Sequence, residues 1–123
     1  IRGLHFQKPP FEQTKLVRCI SGNILDVAVD IRKNSETYGQ FFSVELSSEN
    51  KKQLFIPKGF AHGFQVLSET AIVSYKVDNY YKPKCESGII WNDKDLLIDW
   101  KKDLKPIFSE KDLKLDVFKN LKQ

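Results

Sequence analysis

Two histidines and two cysteines are all the obvious metal and thiol chemistry that this 123-residue chain holds. A metal site built on strands needs several histidine and carboxylate ligands converging from neighbouring segments. His5 and His62 are far apart in the chain, with no His-x-His pair, so no metal is expected. Cys19 and Cys85 are equally isolated. Without a C-x-x-C unit or a second pair, they argue against a zinc ribbon and a disulfide framework, and fit two free thiols in a reducing cytoplasm. No apolar run approaches the roughly 20 residues of a membrane span, so no membrane is expected. A Gly-x-Ser-x-Gly elbow and a glycine-rich phosphate loop are missing too. That removes the usual sequence support for serine hydrolysis and for a P-loop.

A strong charge of one sign is also lacking. The formal net charge is +4, and most of the excess sits at the end of the chain. Residues 1–100 carry 13 Lys/Arg against 12 Asp/Glu, whereas residues 101–123 carry 7 against 4. A nucleic-acid surface shows a basic stripe across its body. None is present here, so nucleic acid is not an expected partner, while an anionic small ligand fits. A hydrophobic share of 41% with 29% charged residues is that of a globular chain, not a disordered one. The length suits one domain over residues 1–123, with one substantial core. The chain opens on Ile1, already inside a strand pattern and with no apolar leader before it. We therefore expect that an upstream segment is missing.

What is present is organised around residues 56–66 (IPKGFAHGFQV). Pro57 presets φ for a turn, and Gly59 can take the positive φ that such a turn often needs. A half-buried strand resumes at residue 61 and carries His62. Residues 1–6 predict a first strand carrying His5, and the two segments are expected to line one cavity of a β-barrel. The adjacent prolines Pro9 and Pro10 make residues 7–13 a loop. Residues 14–20 read as an alternating strand with Lys15, Val17 and Cys19 on one face. Ser21-Gly22-Asn23 is a hairpin turn signal, followed by a β-branched strand over residues 24–30. Further strands are predicted at residues 40–46, 53–56, 61–67 and 71–77, with short extended pieces at 88–91 and 98–100. Only the end looks helical. Ser109 and Asp112 stand as N-cap and N3 acid, and Leu113, Val117, Phe118 and Leu121 follow at helical spacing. Short strands with turn signals at regular intervals predict an antiparallel sandwich or jelly roll.

Each polar residue within these strands has a packing reading beside a chemical one. His5 is either a tolerated half-buried histidine or a general base, since imidazole titrates near neutral pH and a carboxylate would hold its tautomer. Arg2 and His5 are three apart, so plain alternation puts them on opposite faces; both reach one cavity only if a bulge or twist intervenes. Tyr75 is either core filler or a proton donor facing a cavity. Lys15 either snorkels to water or stabilises an oxyanion or phosphate. Asp112 faces two competing claims, capping the helix and orienting a histidine.

Taken in order, several motifs resemble those of the dTDP-4-dehydrorhamnose 3,5-epimerase family. They are Arg2-Gly3-Leu4-His5-Phe6-Gln7, Lys15-Leu16-Val17-Arg18, Asp26-Val27-Ala28-Val29-Asp30, residues 56–64 and Ser109-Glu110-Lys111-Asp112, together with Tyr75-Lys76, Tyr80-Tyr81 and Gly88-Ile89-Ile90-Trp91. The resemblance runs from Ile1 to the C-terminal helix. It implies a cupin-type jelly roll without metal or cofactor, acting as a homodimer on dTDP-4-dehydro-6-deoxy-D-glucose. Carbons 3 and 5, next to the C4 ketone, would be inverted to give dTDP-4-dehydro-L-rhamnose. By this resemblance His5 is the base, Asp112 the acid that orients it, and Tyr75 the proton donor on the opposite face. A tyrosine hydroxyl suits that role, because it keeps its proton at pH 7. Lys15 lies near the C4 oxygen, and His62 is a second histidine contacting the sugar. Arg2 contacts the diphosphate, while Tyr81, Glu86 and Lys111 make further substrate contacts. Family members carry an upstream segment that adds nucleotide contacts. Two competing readings are a nucleotide-sugar epimerase that inverts one centre and a truncated sugar-nucleotide-binding jelly roll without catalysis.

Overall fold

Short runs rich in Val, Ile and Phe, alternating with polar residues and broken by Gly, Pro and Asn, form eight antiparallel strands. They are β1 (Arg2–Gln7), β2 (Lys15–Ser21), β3 (Asn23–Asp30), β4 (Phe41–Ser47), β5 (Gln53–Ile56), β6 (Phe60–Val66), β7 (Ile72–Val77) and β8 (Glu86–Gly88). This computed structural model describes residues 1–122. One sheet has the order β4-β3-β6-β1-β8 and the other β5-β2-β7. The only α-helix among the described residues is α1 (Glu110–Leu113). The architecture is the expected all-β, cupin-type jelly roll with a short C-terminal helix.

Strand alternation decides what lies between the sheets. Along β2, Val17 and Cys19 are buried and Lys15 is half-buried, while Arg18 and Ile20 are exposed. Val17 stands opposite Leu54 of β5 and Tyr75 of β7. Val17, Cys19, Ile24, Ala28, Leu46 and Ile56 form one core cluster, with Phe64 and Val73 against it. β3 is buried along nearly its whole length because both of its faces are covered. Its other face, Leu25, Val27 and Val29, joins a second cluster with Leu4, Phe6, Ile89, Leu96, Ile98 and Trp100. Fully burying an aliphatic side chain contributes about 1.5–3 kcal/mol, so these two layers hold the five-stranded sheet from both sides.

Four local expectations change. Ser21-Gly22-Asn23 is not a hairpin: β2 and β3 belong to different sheets, and the turn carries the chain across the sandwich edge. Gly22 has φ +77° there, and a Cβ on it would stand 2.3 Å from the Thr70 carbonyl oxygen. That contact is with the β6–β7 crossing beside it, so the two corners pack too closely for a side chain. The extended piece at 88–91 is displaced to β8, because residues 86–88 pair with β1. Residues 98–100 form no strand. Ile98 and Trp100 are instead pinned by burial, and the Trp100 indole N–H donates to the Trp91 carbonyl at 2.8 Å. The C-terminal helical pattern breaks after one turn. Backbone groups at Asp116 and Phe118 bond instead to Ile90 and Asp93, and only a 3₁₀ turn (Phe118–Asn120) follows.

Candidate active site

The site grows from an irregularity at the start of β1. Against β6, Arg2 pairs with Phe64 and His5 pairs with His62, so three steps on β1 match two on β6. The extra residue is the bulge that alternation required for Arg2 and His5 to face the same cavity. Gly3 sits at the bulge with φ +105°, and a Cβ there would be 2.6 Å from the His62 carbonyl oxygen. Only glycine fits that close approach. Beyond the bulge, His5 points between the sheets while Leu4 and Phe6 go to the outer core.

Asp112 resolves its two claims with different atoms. Its backbone N–H donates to the Ser109 hydroxyl at 3.1 Å and so serves the cap. Its carboxylate, only 3% exposed, turns toward β1. Oδ1 lies 2.6 Å from His5 Nε2, and Oδ2 accepts the Gly3 N–H at 3.0 Å. The bulge that aims His5 therefore also supplies a donor that fixes its partner. An acceptor on Nε2 places the ring proton there and leaves the Nδ1 lone pair available. Burial lowers the His5 pKa below its ordinary value, and Asp112 offsets this only in part. The imidazole is therefore neutral near pH 7, which is the state a base requires.

Arg2, His5, Lys15, His62 and Tyr75 line one pocket between the sheets. It adjoins a cavity of about 290 Å³ that adds Tyr81 and Glu86 to Arg2, His5, Lys15 and Tyr75. Lys15 enters from β2 and Tyr75 from β7, two residues along the neighbouring strand from Val77, which faces Lys15 in the register. Tyr75 is 46% exposed and stands at the mouth, so the core-filler reading is wrong for it. Burial, and then the Arg2 guanidinium, lower the Lys15 pKa, with Asp26 and Glu86 opposing. Glu86 Oε2 accepts from both the Tyr81 hydroxyl at 2.8 Å and the Lys111 ammonium at 2.7 Å. Burial raises the Glu86 pKa, but these two hydrogen bonds and the Lys111 charge outweigh it and keep the carboxylate ionised. All nine residues singled out in the sequence thus belong to one constellation, with Lys111 and Asp112 acting from behind its lining. Among the described residues, no three His, Cys, Asp or Glu side chains cluster as a metal ion needs.

Two contributors escaped the sequence reading. Asp26, wholly buried in β3, has Oδ1 2.5 Å from His62 Nε2. Its signal was legible: a carboxylate in the apolar run of residues 24–29, on the same face as Ile24 and Ala28. Gln7 donates to the Phe11 and Tyr80 carbonyls and accepts from the Lys82 N–H. This ties the loop after β1 to the segment that presents Tyr81.

Residues 1–120 match the family described as dTDP-4-dehydrorhamnose 3,5-epimerase. The chain belongs to this family. The dTDP-4-dehydrorhamnose 3,5-epimerase of Escherichia coli (strain K12) is 54% identical over 115 residues, covering 94% of this chain and 62% of that protein. A crystal structure of dTDP-6-deoxy-D-glucose-3,5-epimerase from Legionella pneumophila, in complex with dTDP-4-keto-L-rhamnose, superimposes with a TM-score of 0.95 at 46% identity. That match covers 98% of this epimerase-family chain and 64% of the other. A 3'-monoepimerase from Streptomyces bikiniensis in complex with dTDP-quinovose shares the fold, with a TM-score of 0.88 at 32% identity over 94% of this chain and 59% of that one. The chain spans about 62% of the length of curated relatives such as the E. coli protein.

Proposed function

We propose that this chain inverts carbons 3 and 5 of dTDP-4-dehydro-6-deoxy-D-glucose without a cofactor, giving dTDP-4-dehydro-L-rhamnose. The observation that carries this reading is the His5–Asp112 pair opening onto the same pocket as Lys15 and Tyr75. The C4 ketone acidifies the C–H bonds on both sides of it. Neutral His5 takes a proton through its free ring nitrogen, and Asp112 stabilises the imidazolium that forms. Charge develops on the C4 oxygen, where the Lys15 ammonium receives it. Tyr75, on the facing sheet, returns a proton to the opposite side of the sugar ring. The two sheets thus carry the base and the acid respectively, and inversion follows from their separation. Arg2 binds the diphosphate, His62 the reacting sugar, and Tyr81, Glu86 and Lys111 the rest of the substrate.

Solvent deuterium incorporation tests this directly. NMR should show label at C3 and C5 with this chain, and none with His5→Ala that remains folded. Label at one carbon would move the assignment to a single-centre epimerase, the activity named for the S. bikiniensis relative that shares the fold. No exchange from folded chain would favour a binding module without catalysis.

The chain is read as one domain over residues 1–123, because both core clusters join strands distant in sequence. A cytoplasmic homodimer completes the reading. Two free cysteines support the compartment. Ile20, Phe55 and Ile72, exposed on the outer face of the three-stranded sheet, support a covered face. Sedimentation at several concentrations tests the dimer.

A further inference from the structure

His62 meets one buried group that the mechanism above does not use. Asp26 is fully buried, and its Oδ2 has no hydrogen-bond partner among the described residues. Its Oδ1 meets the Nε2 of His62, which is itself buried at the floor of the reactive pocket. A carboxylate in a protein interior is costly unless positive or donor groups compensate it. Here the compensating groups are the His62 ring, in contact, and the Lys15 ammonium, acting through space. Both belong to the pocket where charge develops on the ketone oxygen. A carboxylate with no other hydrogen-bonding duty, touching one such group and lying in the same sheet interface as the other (Ile24 and Ala28 on its face of β3 pack against Val17 and Cys19 on the Lys15 face of β2), is arranged for the chemistry beside it.

We propose that Asp26 is a positioning residue for the reaction: it fixes the His62 ring with Nδ1 as the nitrogen left for substrate, and it is the counter-charge to Lys15. This rests on the epimerase reading and deepens it. The counter-charge has a consequence with a definite sign. Lys15 is disfavoured as a cation by burial and by Arg2, and Asp26 and then Glu86 oppose this. The titratable and charged groups facing it are Arg2 and His5 from β1, His62 from β6, Tyr75 from β7, Glu86 from β8 and Tyr81 before it, with Glu12 and Arg32 in the cavity on its other side. Removing the Asp26 charge makes the Lys15 ammonium easier to deprotonate, so the alkaline limb of activity moves to lower pH.

Asp26→Asn, nearly isosteric, is the test, with circular dichroism and a thermal melt to establish folding. The expected result is a kcat about 100-fold lower, a KM within about threefold of wild type, and an alkaline limb displaced to lower pH. Adding Lys15→Arg should remove that displacement, since a guanidinium does not titrate there; Tyr75, left intact, cannot account for such a rescue. Independently of turnover, proton NMR of the wild-type chain should show a far-downfield His62 ring proton that is lost or moved upfield in Asp26→Asn. A folded variant with wild-type kcat and an unmoved alkaline limb would overturn the proposal, as would the absence of the downfield proton in wild type. If wild type itself fails to exchange label, the epimerase reading fails, and the NMR comparison still decides the Asp26–His62 link.

Discussion

Replacing Asp112 by asparagine removes one negative charge while nearly preserving the size of a side chain that is only 3% exposed. The carboxylate has two separate duties, Oδ1 toward the His5 ring and Oδ2 toward the Gly3 N–H. An amide has one oxygen and one NH₂, so it can satisfy only one of them. If its oxygen faces Gly3, the NH₂ donates to His5 Nε2, the ring proton moves to Nδ1, and the base points a proton at the substrate. A wrong tautomer of this kind costs about 10⁴-fold in rate, or about 5.4 kcal/mol of transition-state stabilisation. If the oxygen faces His5 instead, two donors meet at Gly3 in a buried position, which costs about 1–3 kcal/mol of stability. The pH profile supplies a sign. Burial lowers the His5 pKa, and Asp112 is the strongest influence raising it. Without that charge His5 protonates less readily, so the acid limb of kcat/KM moves to lower pH while the plateau falls. The assay is deuterium wash-in measured across pH, with a thermal melt of the same variant. A folded Asp112→Asn with a plateau within about threefold of wild type, or an acid limb displaced to higher pH, would refute the reasoning.

Tyr75→Phe separates the two halves of the reaction. It should lower net inversion about 10²–10³-fold while solvent label still enters the unchanged substrate, because His5 can return its own proton to the same face. Loss of exchange together with inversion would show that Tyr75 also acts in abstraction. Asp30→Asn probes the fold, not the chemistry. Asp30 is buried and accepts hydrogen bonds from Arg32, Ser35 and Thr37, which together hold the loop over residues 32–38. Those bonds, Arg32 first, keep its carboxyl far below the usual range despite burial. Its contribution is therefore present at neutral and mildly acidic pH, and is lost only as pH falls through the strongly acidic region. The variant should cost about 1.5–3 kcal/mol at pH 7, since Arg32 is half exposed and returns to water; this is read from the urea midpoint, and an unchanged midpoint would contradict the assignment.

Much of this protein is legible as periodicity. The alternation of Lys15, Val17 and Cys19 is enough to turn those three inward, because a strand can bury only every second side chain without exposing the apolar set. The spacing of Ser109 and Asp112 is likewise enough to start a helix. Where the chain failed to declare itself, another segment held the deciding partner. Ser21-Gly22-Asn23 reads as a hairpin and is a corner, because the outcome depends on which sheet the following strand joins. Residues 89–100 carry no period at all, since their order comes from the pockets that Ile89, Ile98 and Trp100 fill in the outer core.

The sequence by itself determined most of the strand pattern and the two histidine-bearing segments, which are written in residue types and short spacings. The set of nine polar residues from Arg2 to Asp112 came with the family resemblance, since each of them has a packing reading as good as a chemical one in its local pattern. Only the tertiary structure decided that Arg2 and His5 share a cavity, through a bulge measured against β6. It alone decided that the Asp112 carboxylate serves His5 while its backbone serves the cap, and that Asp26 lies beneath His62. Each of these depends on groups 36 to 109 residues apart in the chain. No local pattern records such distances, because sheet pairing and burial close them only when the two sheets come together.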